Sequence, residues 1–263
     1  MPCSAYAVRA RHTGPRGSHA ACQGVAGATK VRSMTDAPDS VAGMEPTPYD
    51  PSAVSHLLGA LAYAQLSGFG ELAAGAQLSP HLAAKGAIAG MAASVYRQFA
   101  AVSGRLTALG ETPEAAMAPF VEAIDAFHAR TAPSDWLEAL IKAYVGHGIA
   151  RDFYAELVNY VDGDTREFVL TLLEDSGQAR FISETVREEI ADDKRLGGRL
   201  ALWARRIMGE ALQQAQLVAG ESDALTELLV GGEHGADLAE FGRIFGRIAD
   251  AHTRRMERLG LSA

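Results

Sequence analysis

From about residue 50 onward, the chain repeats one pattern: a long run with apolar residues every three or four positions, followed by a short polar stop. Steps of three and four place side chains on one face of an α-helix. No segment alternates apolar and polar residues as a half-buried strand does, and the turn dipeptides typical of β-hairpins are missing. Because long helices with short connections pack best as near-antiparallel neighbours, the pattern predicts an all-α bundle of long antiparallel helices, with additional C-terminal helices.

The stops between the runs are of the kind that begin and end helices. Gly110 closes the second run, Pro133-Ser134-Asp135 opens the fourth, and Gly231-Gly232 precedes the last. Residues Thr165 to Ile190 carry one unbroken apolar stripe and are predicted to form a single helix. The predicted helices cover residues 51–78, 80–109, 113–127, 136–161, 165–190, 196–220 and 238–259.

The first 33 residues differ from the rest of the chain. They carry five basic residues and no acidic one, show no apolar periodicity, and lack the apolar stretch of about 7–15 residues found in signal peptides. The phrase Met34-Thr-Asp-Ala-Pro-Asp reads like the beginning of a cytosolic protein, so we predict Met34 as the true start, with a transit peptide as the alternative. Residues 1–48 are predicted to be a disordered tail and residues 49–263 the helical domain.

Composition excludes several classes of protein. The two cysteines, Cys3 and Cys22, lie in the tail, which argues against a disulfide scaffold or a cysteine-ligated metal and fits a reducing cytoplasm. No apolar run approaches the length of a membrane span. Residues 34–263 hold 19 basic and 32 acidic residues, which disfavours DNA and confines any RNA contact to a local basic patch. That patch consists of Lys194, Arg195, Arg199, Arg205 and Arg206.

Polar side chains interrupt the apolar stripes of several predicted helices. They are Gln65 on the first, Gln98 on the second, His147 in the fourth, and Asp175 with Gln178 on the fifth. A buried polar group is costly unless it is hydrogen-bonded. Several such groups on facing helices therefore predict a shared internal site or an internal network of amide hydrogen bonds.

Bundles that hold two metal ions are built from positions of this kind. They take one carboxylate from each of two helices and a Glu-x-x-His sequence from each of the other two. The spacing of three residues aims both side chains of the pair at one point. This chain has no complete Glu-x-x-His; the nearest pair is Asp125 with His128, which we interpret as lying on a surface helix. The same spacing recurs at Val95/Gln98 and Asp175/Gln178.

Four phrases of the sequence resemble an actinobacterial ferritin-like family. They are Leu57-Leu-Gly-Ala-Leu-Ala-Tyr, Ala132-Pro-Ser-Asp-Trp-Leu-Glu, Lys142-Ala-Tyr-Val-Gly-His-Gly-Ile-Ala and Arg199-Leu-Ala-Leu-Trp-Ala-Arg-Arg-Ile-Met-Gly-Glu-Ala-Leu. The family is described as similar to the iron-dependent hydroxylase of 2-methylthio-isopentenyl-adenosine in tRNA, and the likeness covers about residues 50–263. The resemblance implies a ferritin-like bundle and, in members with a complete site, a carboxylate-bridged di-iron centre that activates oxygen.

The resemblance also implies which positions would hold the metal. In this chain they are Gln65, Val95, Gln98, His147, Asp175 and Gln178. Carboxylates are expected at the first, second and fourth of these positions, and histidines at Gln98 and Gln178. Only Asp175 retains an expected ligand type, while His147 can still bind a metal, so these two are the candidate metal ligands. A shift of one helical turn would bring in Glu71, Asp152 or Glu156 instead.

These substitutions lead to two hypotheses. Gln is a poor ligand for iron and Val offers no ligand atom. The first hypothesis is therefore a non-catalytic ferritin-like protein with a degenerate di-iron site, which has no cofactor and acts by packing against a partner or itself. The alternative is a non-haem di-iron hydroxylase, a monooxygenase that uses iron and acts on a modified tRNA adenosine. A homodimer that pairs along the last predicted helix, Leu238–Leu259, is compatible with either.

Overall fold

The computed structural model describes residues 51–174, 178–220 and 238–263, and every regular element in these ranges is helical. The predicted all-α bundle is therefore confirmed, whereas the predicted tail over residues 1–48 lies outside the described residues. The helices are α1 (Pro51–Leu78), α2 (Leu82–Ala108), α3 (Pro113–Met117), α4 (Val121–Arg130), α5 (Trp136–Leu157), α6 (Gly163–Leu172), α7 (Gln178–Ile190), α8 (Lys194–Gly220) and α9 (Leu238–Leu259), with 3₁₀ turns at Ala118–Phe120 and Val158–Tyr160.

Helices α1 and α2 form a hairpin and make the most extensive contact of any two helices described. A three-residue connection joins them, so they run antiparallel. The predicted start of α2 at Pro80 is wrong by two residues. Ser79 Oγ accepts a hydrogen bond from the His81 amide at 3.4 Å, and His81 has extended backbone, so the first turn of α2 forms only from Leu82. Gly110, with φ of +84°, ends the helix as predicted.

One glycine allows α3 to cross α1 closely. A Cβ atom built on Gly59 of α1 would lie 2.1 Å from the carbonyl oxygen of Ala116 in α3. Only a residue without a side chain leaves room for that backbone. The short α3 therefore packs directly on α1, beside the buried Phe120.

Helix α5 is the central element of the bundle, because it packs against α1, α7, α8 and α9. Its predicted start is confirmed: the side chain of Asp135 accepts a hydrogen bond from the Glu138 amide at 2.9 Å and caps the helix. Arg199 of α8 forms ion pairs with both of these acidic residues. The Trp203 indole donates to the Glu138 carbonyl at 2.9 Å, so α8 is held along the first turn of α5.

The single helix predicted over Thr165–Ile190 is wrong, because the chain forms two helices there. Helix α6 ends at Leu172, and Leu173 and Glu174 are not helical. Gln98 of α2 donates a hydrogen bond from Nε2 to the Leu172 carbonyl oxygen at 2.8 Å, which satisfies one acceptor at the helix end. The following residues, Asp175-Ser176-Gly177, are poor helix formers. The apolar periodicity of the sequence nevertheless continues past them, which is why it predicted a single helix.

Helix α9 packs against α5, α7 and α8. Its apolar stripe includes Ile244, Ile248, Met256 and Leu259, which are all fully buried within the chain. Pairing of two copies along this stripe, which the sequence alone permits, is disfavoured because these side chains are already buried within the chain. A second copy would have to pair through another surface, and the oligomeric state itself stays a prediction.

Three of the helices, α1, α2 and α8, are at least 27 residues long. Length alone does not make a membrane span, since a span also needs a continuous apolar stretch. Among the described helices, none combines the length and the apolar character needed to cross a bilayer.

Candidate functional site

A cavity of about 270 Å³ lies inside the bundle, between α1, α2, α4, α5 and the C-terminal helices. Four of the positions singled out from the sequence lie in its wall: Gln65, Val95, Gln98 and His147. These four residues therefore border one internal space. Their proposed role as metal-ligand positions stays a prediction.

These residues differ in what their side chains do. Gln65 is 4% exposed, and Val95 packs as an apolar core residue. Gln98 is used structurally, because its Nε2 donates to the end of α6 and its Oε1 is buried without a partner among the described residues. His147, in contrast, is exposed and lies at the edge of the cavity.

Two of the predicted positions do not contribute to the described wall of the cavity. Asp175 lies outside the described residues, and so does the side chain of Gln178. The helical spacing that was expected to aim both at one point requires a continuous helix. Helix α6 ends at Leu172 and α7 begins at Gln178, and because Asp175 lies outside the described residues, the convergence of this pair stays a prediction.

The structure instead brings together three ionisable side chains that were not assigned to one site. Lys142 Nζ, on α5, donates hydrogen bonds to the carboxylate of Glu71 on α1 and, at 3.5 Å, to the His128 carbonyl oxygen. The His128 Nδ1 atom lies 3.8 Å from the same Glu71 oxygen. The side chain of Lys142 is only 6% exposed, so the bundle holds an ammonium ion in its interior. We call these three residues the Lys142 cluster.

Burial determines the proton affinities of the Lys142 cluster. Removal from water, followed by the positive charge of Lys142, lowers the pKa of His128 to about 4, although Glu71 and Asp125 act in the opposite direction. Burial also lowers the pKa of Lys142, and the hydrogen bond to Glu71 opposes this shift. The His128 imidazole is therefore neutral near pH 7, and the Lys142–Glu71 ion pair carries the charges. The ring of Phe127 lies 5.8 Å from Nζ and adds a cation–π contact.

Neighbouring hydrogen bonds fix the His128 side of the cluster. The His128 Nε2 atom lies 3.2 Å from the hydroxyl of Ser67, and Tyr63 donates a hydrogen bond to Asp125 at 2.6 Å. Burial, together with this hydrogen bond, raises the pKa of Tyr63 to about 12. The interpretation of Asp125/His128 as a surface pair is wrong for His128, whose side chain is 17% exposed and turned towards α1 and α5.

A second buried cation lies at another part of the cavity wall. Arg255 of α9 is 5% exposed and bonds through Nη2 to the Gly148 carbonyl oxygen, at 2.8 Å, and to the Asp152 carboxylate. A Cβ atom on Gly148 would lie 2.3 Å from the guanidinium Nε, so the glycine creates the space that Arg255 fills. The buried Nη1 has no hydrogen-bond partner in the described part of the chain.

A third polar group, on α8, faces the same cavity. Gln214 is 4% exposed and accepts a hydrogen bond from Arg130 at its Oε1, at 2.8 Å. Arg130 is itself paired with Glu210 at 2.8 Å, which makes Glu210 a bridge between α4 and α8. The Gln214 Nε2 atom is buried and finds no partner within the described ranges.

The described donors do not fit a di-iron centre. Two ferrous ions bring four positive charges, which carboxylates normally offset, yet Lys142 and Arg255 already place cations in this cavity wall. In the described residues, no group of three or more His, Cys, Asp or Glu side chains is arranged to hold one metal ion. The carboxylates that a one-turn shift would supply are each paired with a basic residue: Glu71 with Lys142, Asp152 with Arg255, and Glu156 with Arg247.

The sequence contained weak signals for the residues that were missed. Lys142 directly follows Ile141 within an apolar helix, and His128 lies one turn after Ile124 on the buried face of α4. A buried charge requires a partner, so a lysine at such a position predicts a carboxylate on a facing helix. Which carboxylate it meets depends on the packing of helices far apart in the sequence.

One protein family matches the chain. Its sequence profile, described as a ferritin-like domain of actinomycetes, matches residues 48–232. This span contains α1–α8 and ends before α9. No curated protein matches the chain.

Proposed function

Because the chain belongs to the family of ferritin-like domains of actinomycetes, we propose that it is a non-catalytic member with a degenerate di-iron site, which acts by binding. The observation that supports this proposal is the Lys142 cluster. A protein cation lies in the bundle interior, bonded to the carboxylate that a metal would otherwise attract. The proposal also places the protein in the cytoplasm, as the use of cysteine indicates.

Electrostatics explain why the cluster disfavours iron. An ammonium ion and a ferrous ion that share one partly buried carboxylate repel each other strongly, because the interior screens charge poorly. A neutral His128 could in principle ligate a metal, but Glu71 is already bonded to Lys142. Iron would have to displace an ion pair whose lysine is 6% exposed. Of the six ligand positions that the resemblance implies, three are glutamines and one is Val95, so only His147 and Asp175 would offer ordinary ligands for iron.

Metal analysis tests this proposal directly. The full chain is purified from iron-replete cells without chelators, and its iron and manganese contents are measured by plasma mass spectrometry. We expect well below one metal ion per chain, both as purified and after anaerobic incubation with ferrous iron followed by desalting. About two irons per chain would overturn the proposal. The Glu71→Gln variant is the control, since a loss of bound iron in it would identify Glu71 as a ligand.

The alternative function, hydroxylation of a modified tRNA adenosine, rests on a different observation. His147 and Glu174 are both exposed and both line the cavity, so two ligand-type side chains lie near its edge. The basic patch on α8 gives little support for RNA binding, because two of its arginines are engaged within the protein. Arg199 is paired with acidic residues, and Arg206 donates to the Arg130 carbonyl oxygen at 2.7 Å. Deletion of the gene should leave the modified nucleosides of tRNA unchanged, as measured by liquid chromatography and mass spectrometry. Loss of a hydroxylated adenosine would support the alternative.

A further inference from the structure

The cavity is large enough for a small organic molecule. An apolar cavity of about 150 Å³ holds benzene, and the cavity of this protein measures about 270 Å³. Much of its wall is apolar, with Leu72, Ile88, Met91, Ile124 and Phe127 among the lining side chains. A molecule with an apolar body would therefore replace contacts with water by contacts with these side chains.

Two hydrogen-bond donors in the wall are buried without a partner among the described residues. They are Gln214 Nε2 and Arg255 Nη1. Tyr154, which is 6% exposed, also lines the cavity and carries a hydroxyl that can donate. Among the described lining residues, Gln98 Oε1 is an unpartnered acceptor, and the unpartnered Nδ1 of His128 donates or accepts according to its tautomer. Buried donors of this kind are stabilised by an acceptor.

The charge of the wall also differs from that of the whole protein. The chain has a net charge of −8. Four basic side chains line the cavity against two acidic ones, which are Glu71 and Glu174. The basic residues are Lys142, Arg151, Arg255 and Arg258. Glu71 is neutralised by Lys142, and Asp152 only partly satisfies Arg255, whose Nη1 stays unpartnered.

We propose that the cavity is a binding site for a small organic anion, a carboxylate with an apolar body, whose head is bound by Arg255. The Tyr154 hydroxyl and the Gln214 amide donate further hydrogen bonds, and the apolar wall packs around the body. This inference rests on the proposed function in one respect, since it names the class of ligand that a binding protein of this fold would hold. It does not require that iron be absent.

Calorimetric titration of the full-length protein with octanoate tests the inference, with 1-octanol as the neutral probe of similar size. We expect one octanoate site per chain, and binding of 1-octanol at least about tenfold weaker because a charged hydrogen bond is lost. Equal affinity for the two probes, or no saturable octanoate binding, would overturn the inference. The iron content of the same sample is measured in parallel. Absence of saturable octanoate binding would overturn the inference whatever the iron content. About two irons per chain together with octanoate binding would overturn only the proposed function.

Matched variants locate the anionic head. Arg255→Met is compared with Arg254→Met, which changes an exposed arginine on the same helix. The first should weaken octanoate binding about tenfold or more, and the second should leave it unchanged. Because Arg255 also contacts Asp152, Tyr154→Phe serves as a second variant that removes only a hydroxyl, and it should weaken octanoate binding severalfold but not octanol binding. Unaltered octanoate affinity in a folded Arg255→Met or in Tyr154→Phe would contradict the assignment.

Discussion

The ammonium of Lys142 is bonded to Glu71 inside the bundle and lies beside the neutral imidazole of His128. Burying an ion pair costs desolvation, so such a pair is no guarantee of stability, but removal of one partner leaves the other uncompensated. Glu71 is 36% exposed and retains some contact with water. The two members of the pair therefore depend on each other to different degrees.

The first prediction concerns Lys142→Met. The substitution keeps the length of the side chain but leaves Glu71 without its cation, so we expect the free energy of unfolding to fall by about 1–3 kcal/mol. Urea denaturation at pH 7 measures the change, and Lys194→Met, at an exposed lysine, should change it by less than about 0.5 kcal/mol. The double variant Glu71→Leu with Lys142→Met should regain part of the loss, because an apolar pair replaces the ionic one. An unchanged free energy of unfolding in Lys142→Met would show that the ion pair has no structural role.

The second prediction concerns pH. The pKa of His128 is about 4 in the folded protein, against an ordinary value of 6.5. Between these values the unfolded chain binds a proton that the folded protein does not, so stability falls as the pH decreases from about 6.5 to 4. From pH 7 to pH 5 we expect a loss of about 2 kcal/mol from this group alone.

Denaturant unfolding at several pH values measures this dependence in the wild-type chain and in His128→Gln. Burial, followed by the charge of Arg255, also lowers the pKa of His252, so that residue contributes in the same direction in both proteins. The difference between the two pH curves therefore isolates His128. Superimposable curves for wild type and His128→Gln would contradict the prediction, and His81→Gln, at an exposed histidine, is the matched control.

At the scale of the helices, the close approach of the α1 and α3 backbones requires a glycine at position 59, although glycine has a low helix propensity. Gly59 and Gly70 both lie in α1, where glycine is intrinsically unfavourable. An added Cβ on Gly59 would lie 2.1 Å from the Ala116 carbonyl oxygen, whereas nothing lies within 4 Å of one on Gly70. The same substitution should consequently have opposite effects at the two positions.

The third prediction is that Gly59→Ala lowers the free energy of unfolding by about 2–3 kcal/mol, because backbone must move to admit the methyl group. Gly70→Ala should raise it by up to about 1 kcal/mol through helix propensity. Thermal and urea unfolding of both variants measure the difference. If Gly59→Ala were as stable as Gly70→Ala, the crossing of α1 and α3 would be looser than the structure indicates.

At the scale of the whole molecule, α9 completes a core that the family match does not include. The match ends at residue 232, yet Ile244, Ile248, Met256 and Leu259 are fully buried against the preceding helices. Arg255 of the same helix also forms part of the cavity wall. The bundle and its candidate site therefore both depend on residues beyond the matched segment.

The fourth prediction is that a chain ending at residue 237 loses cooperative unfolding. Each fully buried apolar side chain contributes about 1.5–3 kcal/mol, so loss of the α9 stripe approaches the total stability of a typical domain, about 5–15 kcal/mol. Differential scanning calorimetry measures the transition. Removal of residues 1–48, the predicted tail, should leave the melting temperature unchanged. A cooperative transition in the shortened chain, at the temperature of the full-length protein, would show that α9 is dispensable.

The sequence by itself determined the helices, because helix formation depends on neighbours three and four residues apart and on local caps. The ends of α1 and the Asp135 cap of α5 followed from such local patterns. The division between α6 and α7 did not follow from a local pattern. The apolar stripe of the sequence continues past the end of α6, and Gln98 of α2 helps to terminate that helix.

The candidate site was predictable only in part. The apolar stripes predicted that Gln65 and Gln98 face a shared interior, since stripes turn towards the core. The tertiary structure alone decided that Lys142 meets Glu71, which is 71 residues away, and that Arg255 fills the space beside Gly148, 107 residues away. Such contacts depend on how whole helices pack, and no local pattern encodes them. The physical reason is that a buried charge requires a partner but does not specify which helix supplies it.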